Sequence, residues 1–387
     1  MGTLIKLFKN NIRQYGMIIA LILIMILFGL LSGGLLFEPI NITNLILQNS
    51  YILVLAIGMV LVIITGHIDL SVGSVAALVG ACSAIMMVNM NLHPVVAVIL
   101  SLVLGALIGA WQGFWIAYVR IPAFIVTLAG MLLFRGITMI VLEGQSIAPL
   151  PEGFQKISAG FIPDFSNMET NLVALLAGIV VTILYVLSEV KNRRNQQKYQ
   201  FETISSALFI AKMVAIAAVI NIFSFALASY EGIPNILILL AVLIVGYSFI
   251  MNRTVMGRHI YAIGGNEKAA GLSGVKTKKV TFWVFVNMGV LAAISGLIFT
   301  ARLNAAIPRA GTNFELDAIA AAFIGGASAS GGIGTVYGAI IGGLVMGVLN
   351  NGMSLIGLGI DWQQGIKGLV LLLAVAFDIY NKNKRAV

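Results

Sequence analysis

Long apolar runs alternate along this chain with short polar breaks. The runs are Gly16–Leu36, Thr43–Thr65, Ser71–Met90, Pro94–Val119, Ala123–Leu142, Leu172–Leu187, Ile204–Ser229, Ile233–Met251, Val280–Thr300, Leu316–Ala329, Ile333–Leu349 and Gly365–Tyr380. Most reach the roughly 18 residues that cross about 30 Å of hydrocarbon as a helix. The short alternating strands of a membrane barrel do not occur. The pattern therefore predicts an all-α polytopic membrane protein with about twelve spans and a single transmembrane domain over 1–387. Leu316–Ala329 rises only about 21 Å as a helix and is expected as a half-helix or re-entrant piece. The first run follows Lys6, Lys9 and Arg13 as a secretion signal would. It exceeds the roughly 7–15 residues of a signal core and lacks a small-residue cleavage site, so it is expected to be a retained helix.

Composition strengthens this reading. The chain is 60% hydrophobic and 10% charged, with a mean hydropathy of +1.03, more apolar surface than a soluble core of this size buries. The net charge of +9 lies in the breaks and forms no basic face interleaved with aromatics. It points to orientation in a lipid bilayer, with no nucleic acid as partner. With both termini cytoplasmic, 17 of the 23 Lys and Arg residues fall inside: three at the N-terminus, Arg120, four from Lys191 to Lys198, six from Arg253 to Lys279 and three at the C-terminus. The stretch Glu143–Asn171 then lies outside, with Glu143, Glu152, Asp164 and Glu169 against Lys156. Arg302 and Arg309 break the rule, and Arg135, Lys212 and Lys367 fall within spans.

Candidate chemistry is sparse. Cys82 stands alone in an apolar run and reads as packing. His67, His93 and His259 lack metal-ligand spacing. No Gly-x4-Gly-Lys-Ser/Thr phosphate cradle occurs, and Gly274-Val-Lys-Thr277 lacks its glycine spacing. Catalytic residues, metals and cofactors are therefore not expected, and ATP would be handled by another subunit. Gly105, Gly109, Gly113 and Gly334, Gly338, Gly342 recur every fourth residue, stacking on one helix face where a neighbouring backbone can approach. Two such ladders, one in each half, hint at related halves.

Three places hold polar residues against this apolar background. Gly257-Arg-His-Ile-Tyr-Ala-Ile-Gly-Gly-Asn-Glu-Lys-Ala-Ala-Gly-Leu-Ser-Gly-Val275 is longer than a connector needs to be. Asn266 to Leu272 reads as a short helix, with Asn266 as N-cap, Glu267 in the first turn, and Gly271 or Gly274 near its end; it is either a docking element or a solvated loop. Asp69, flanked by Gly66, Ser71, Gly73 and Ser74, suits a broken helix whose backbone needs polar partners. Asp317 beside Glu315 suits a helix N-terminus. Gln48, Asn49, Gln112, Asn350 and Asn351 offer amides, either to a hydroxylated solute or between helices.

The segment 253–279 resembles the cytoplasmic coupling loop of ribose- and xylose-type ATP-binding-cassette (ABC) permeases. Glu267, Ala269, Ala270 and Gly274 match the family's Glu-x-Ala-Ala-x-x-x-Gly in order. Gly66-His-Ile-Asp-Leu-Ser-Val-Gly-Ser74, Glu315-Leu-Asp-Ala-Ile-Ala-Ala, Gly325-Gly-Ala-Ser-Ala-Ser-Gly-Gly-Ile-Gly334 and Leu349-Asn-Asn-Gly-Met353 resemble the same family, closest to permeases of multiple-monosaccharide importers, with xylose permeases next. The resemblance implies that Gly257, Arg258, Gly264, Gly265, Asn266, Glu267, Ala269, Ala270 and Gly274 couple to an ABC ATPase of tandem-domain type. It implies a second copy of the permease and an extracytoplasmic sugar-binding protein as further partners, in a bacterial inner membrane. Asn49, Asp69, Ser71, Gly73, Asp317, Asn350 and Asn351 are the candidates for the translocation path and its gating. His67 stands where the family commonly has Gly. About 60 residues, 172–229, are expected as a pair of spans added to a ten-span core. The rival classes are an ion-coupled secondary transporter using Asp69, Arg135 and Lys212, and a sibling permease for nucleosides or branched-chain amino acids.

Overall fold

The computed structural model describes residues 12–166, 170–201 and 205–383. Lys6, Lys9, Lys384 and Arg385 of the expected termini, Glu169 of the acidic stretch, and Ile204 lie outside them. Fifteen α-helices account for the described architecture: α1 Ile12–Leu31, α2 Pro39–Ile64, α3 Val72–Ala84, α4 Pro94–Phe114, α5 Ala123–Val141, α6 Glu152–Ala159, α7 Leu172–Lys198, α8 Ser206–Ala228, α9 Asn235–Arg253, α10 Val255–Gly265, α11 Glu267–Leu272, α12 Thr277–Leu303, α13 Phe314–Ile324, α14 Val336–Leu355 and α15 Ile360–Asn383. Among the described residues the only β-pairing is two isolated bridges, Ile147 with Ala306 and Phe161 with Pro234.

Nine helices among the described residues are long and apolar enough to cross a membrane. The other three predicted runs coincide with α1, apolar from Gly16 to Leu31, with α13 and with α15. At 11 residues, α13 rises about 16 Å, half a bilayer. At α7 the sequence expectation differs: the basic residues Lys191, Arg193, Arg194 and Lys198 belong to the last turns of the helix and not to a loop. Their long stems favour helix, and nothing before Tyr199 breaks it.

Local chemistry sets the helix starts. Pro39 and Pro94 occupy first-turn positions of α2 and α4, where no partner for a backbone N–H is lost. Asn171 accepts from Ala174 N at 2.9 Å to open α7, and Thr335 from Gly338 N at 3.0 Å to open α14.

Two runs of helices repeat each other upside down. In the first, α2 is followed by an interruption at 65–71, then α3, α4 and α5. In the second, α12 is followed by an interruption at 304–313, then α13, α14 and α15. Central α2 and α12 lie antiparallel, with Tyr51 beside Phe299 (ring centroids 5.4 Å apart) and Gly58 against Met288. The exchange is reciprocal: α12 packs on α3 and α4, while α2 packs on α13 and α14. The ladder of α4 serves the seam with α12, whereas Gly338 and Gly342 pack α14 on α13, and Gly334, expected on the same helix face, lies before α14 against Ile64 and Val60. A methyl on Gly105 or Gly109 of α4 would strike the carbonyls of Gly289 or Phe285 in α12; one on Gly338 or Gly342 of α14 would strike those of Gly325 or Ala321. With glycine at these sites the backbones touch, which is how helices associate where no hydrophobic effect drives them. This is the inverted-repeat plan with discontinuous helices. The pair α7 and α8 packs on itself at the periphery, with α8 reaching α2.

Candidate functional site

Predicted site residues gather at two places, a polar end of the bundle and its middle. At the polar end, 253–279 folds into α10 and α11. Thr254 opens α10 by accepting from Gly257 N at 3.4 Å, and Asn266 opens α11 by accepting from Ala269 N at 3.0 Å. Glu267 occupies the first turn of α11, where an anion meets the positive end of the helix. Gly274, at φ +88, closes it, with Gly274 N on Gly271 O and Val275 N on Ala270 O at 3.0 Å each. Ala270 is the buried anchor. Glu267, Lys268, Ala269 and Leu272 are exposed, Leu272 at 91%, so this helix offers most of its surface outward.

Its neighbour α10 is clamped inward. Gly257 fits the turn from α9, since a methyl there would strike the Met251 carbonyl; Arg258 and Gly265 face open space. Gly264 lies against the Ile64 carbonyl and 2.5 Å, at the position of an added methyl, from Gly332 N. Gly332 N donates to Ile64 O at 2.8 Å, and Tyr261 Oη donates to Gly334 O at 2.8 Å. α10 thus touches the end of α2, where the first interruption begins, and the 325–335 turn that follows α13. Beside it a cavity of about 640 Å³ is lined by Gly66, His67, Arg120, Glu267 and Lys278. His67 packs on Phe285, ring centroids 6.0 Å apart. Burial pushes its pKa below the ordinary value, and the Glu267 carboxylate opposes that shift.

In the middle of the bundle the starts of α3 and α13 meet. Asp69, 2% exposed, accepts from Ser71 N at 2.8 Å and Ser71 Oγ at 2.6 Å. Ser71 Oγ in turn accepts from Gln112 Nε2 of α4 at 2.7 Å. This chain satisfies backbone that the interruption leaves without helical partners, as irregular chain inside a membrane requires. Gly73 lies against the Gly311 carbonyl and the Glu315 carboxylate. Arg135 of α5 donates to the Ala310 carbonyl and faces Glu315, which explains a cation within a span.

Asp317, two residues further on in the first turn of α13, is 4% exposed. Lys367 of α15 donates to its Oδ2 at 3.3 Å and stands 3.2 Å from its Oδ1. The Asn350 amide stands within hydrogen-bonding reach of the same carboxylate. Asn49 and Asn351 lie elsewhere: Asn49 Nδ2 donates to Leu45 O at 2.7 Å beneath Gly347, and Asn351 exchanges two 3.0 Å amide bonds with Asn41, clasping α14 to α2. The structure also adds Arg135, Lys367 and Tyr51 to this region. Charges within apolar runs were the available signal for the first two; Tyr51 gave none. Lys212, the third such cation, pairs with Glu189 at 3.0 Å across the α7–α8 hairpin.

A bundle of membrane-crossing helices, built as an inverted pair around interrupted, polar-lined segments, defines a multi-pass membrane permease. The family profile described as "Branched-chain amino acid transport system / permease component" matches residues 41–190 and 172–375, and the chain belongs to that family. It is 42% identical to the xylose transport system permease protein XylH of Haemophilus influenzae over 98% of this chain and 99% of that one. The Escherichia coli K12 XylH is 39% identical, covering 97% and 93%. The ribose import permease protein RbsC of Bacillus subtilis is 35% identical, covering 96% and 94%. No solved structure matches.

Proposed function

We propose that the chain is the transmembrane subunit of an ABC importer for monosaccharides, of the xylose or multiple-sugar kind, in a bacterial inner membrane. It crosses about twelve times with both termini cytoplasmic, and α7–α8 is a pair added to a ten-span core. The observation that carries this reading is the contact of α10 with the Ile64 carbonyl and Gly332. A push on the exposed α11 by an ATPase passes through α10 to the start of the first interruption at Ile64 and to the 325–335 turn that follows α13, with backbone set against backbone at Gly264. Gly257, Arg258, Gly264, Gly265, Asn266, Glu267, Ala269, Ala270 and Gly274 serve that coupling. Asp69, Ser71, Gly73, Asp317 and Asn350 line or gate the path, with Asn49 and Asn351 holding the helices beside it. The partners are a tandem-domain ATPase, which binds the ATP, an extracytoplasmic sugar-binding protein and a second permease copy. Transport is by alternating access, and selectivity rests mainly on the binding protein.

The family description mentions branched-chain amino acids. The full-length likeness to xylose and ribose permeases favours sugars. The test is uptake into proteoliposomes with and without the cognate ATPase. Glu267→Arg reverses the charge at the start of α11 and is expected to abolish sugar-stimulated ATP hydrolysis and uptake while the permease still folds. Normal ATP-driven uptake by this variant would defeat the assignment of α11, and uptake without any ATPase would defeat the class.

A further inference from the structure

We propose that a cavity at the start of α13 is a weak binding station, within the permease itself, for a neutral polyhydroxylated ring such as a pentose. The proposal rests on the monosaccharide reading above and adds a place where the solute pauses. The cavity, about 390 Å³, lies between the first turn of α13, the first turns of α15 and Tyr51 of α2. That is the lower end of the roughly 300–1,000 Å³ of small-molecule sites.

Its lining has the two faces a sugar needs. One face is apolar: the rings of Tyr51 and Phe314 lie with centroids 4.2 Å apart and planes 31° from each other, with Met346 and Leu371 beside them. Such a wall suits the C–H surface of a pyranose or furanose. The other face is polar and includes Asp317, Gln363, Gln364 and Lys367. Asp317 is buried, with Lys367 beside both its oxygens and the Asn350 amide within reach, yet its Oδ1 has no hydrogen-bond partner of good geometry. A buried carboxylate oxygen is costly to leave without a donor, and a solute hydroxyl is a donor. Gln363 spends its Nε2 on Leu358 O at 2.8 Å and Ser354 Oγ at 3.4 Å, which leaves its carbonyl oxygen as an acceptor. Gln364, exposed on the same face, offers both an acceptor and a donor.

The charges select for neutrality. Asp317 and Lys367 already neutralise each other, so an anion would compete for Lys367 and a cation for Asp317, and either would separate a pair in a poorly hydrated site. A hydroxylated ring can bond to both without displacing either. Affinity must stay low, since a solute held tightly in a path does not leave it.

Protection from thiol labelling tests the proposal. In a Cys82→Ser background, which removes the only cysteine, Gly368→Cys places a thiol on the cavity wall. Gly368 has no atom within 4 Å of the added carbon, so that substitution does not disturb the fold. The full permease is assembled with its ATPase in lipid nanodiscs and treated with a small neutral methanethiosulfonate. D-xylose or D-ribose at tens of millimolar is expected to slow labelling several-fold, whereas lactate at equal concentration leaves it unchanged. Asp317→Asn keeps the shape but removes the charge; it is expected to label at the parent rate without sugar and to lose the protection. Labelling indifferent to both sugars, or protection intact in Asp317→Asn, overturns the station. Such a result alongside ATP-dependent sugar uptake would leave the importer reading standing, and uptake without the ATPase would remove that reading independently.

Discussion

The crossing of α2 with α12 and the hairpin of α7 with α8 are built from equally apolar sequence and behave as opposites. Mean hydropathy is 2.2 for the span in α2 and 2.3 for that in α7, yet 83% of the first is buried inside the protein against 11% of the second. Apolarity does not separate a helix facing protein from one facing lipid, because lipid is as apolar as leucine. Small residues make the difference. Gly289 and Gly296 let α12 sit in backbone contact with α4 and α3, and Gly58 of α2 makes room for the Met288 side chain of α12, whereas α7 has Gly178 seated on Ser224 and carries exposed Ile, Leu and Val elsewhere.

The same contrast holds between the Asp317–Lys367 pair of α13 and α15, which lies beside Tyr51 of α2, and the Glu189–Lys212 pair of the hairpin, and these supply the sharpest test. Lys367→Met strands the buried Asp317 carboxylate and is expected to cost about 3–5 kcal/mol, toward the lower end because Lys367 is partly exposed. It should appear as a large fall in melting temperature and in the monodisperse fraction after detergent extraction. Combining it with Asp317→Leu should restore most of that loss, which thermal melts of the double variant would check. The next largest effect is expected from Gly109→Val, which drives a side chain into the Phe285 carbonyl and Val286; overpacking of this kind costs about 1–3 kcal/mol. Asn351→Leu breaks the clasp to Asn41 and should cost about 0.6–2 kcal/mol, measured in the same melts. In the hairpin, Lys212→Met removes an exposed partner of Glu189 and should cost about 0–1 kcal/mol. Val181→Leu, on its outer face, should change stability by less than about 0.5 kcal/mol. Equal losses from Lys212→Met and Lys367→Met would erase the distinction between the two regions.

Much of this was legible in the chain. The apolar runs marked the membrane-crossing helices because crossing needs length and apolarity, both local properties. Asn266 and Glu267 marked α11 because capping is local. The glycine ladders signalled close packing, though not against what: Gly109 meets Phe285, and no local signal reaches that far. Asp317 read as a helix-starting acid, while its partner Lys367 lies fifty residues on and showed only as a charge in an apolar run. Asn351 and Asn350 are neighbours with the same side chain, and pattern alone could not separate the one bonded to Asn41 from the one beside Asp317.

Glycine set against carbonyl along α4 and α12 leaves no side chain that could change rotamer to absorb a displacement. Helices joined this way travel as a block or come apart. Freedom to rearrange is therefore concentrated in the non-helical links at 65–71 and 304–313, and the stroke of this protein should be that of stiff rods turning about two short joints.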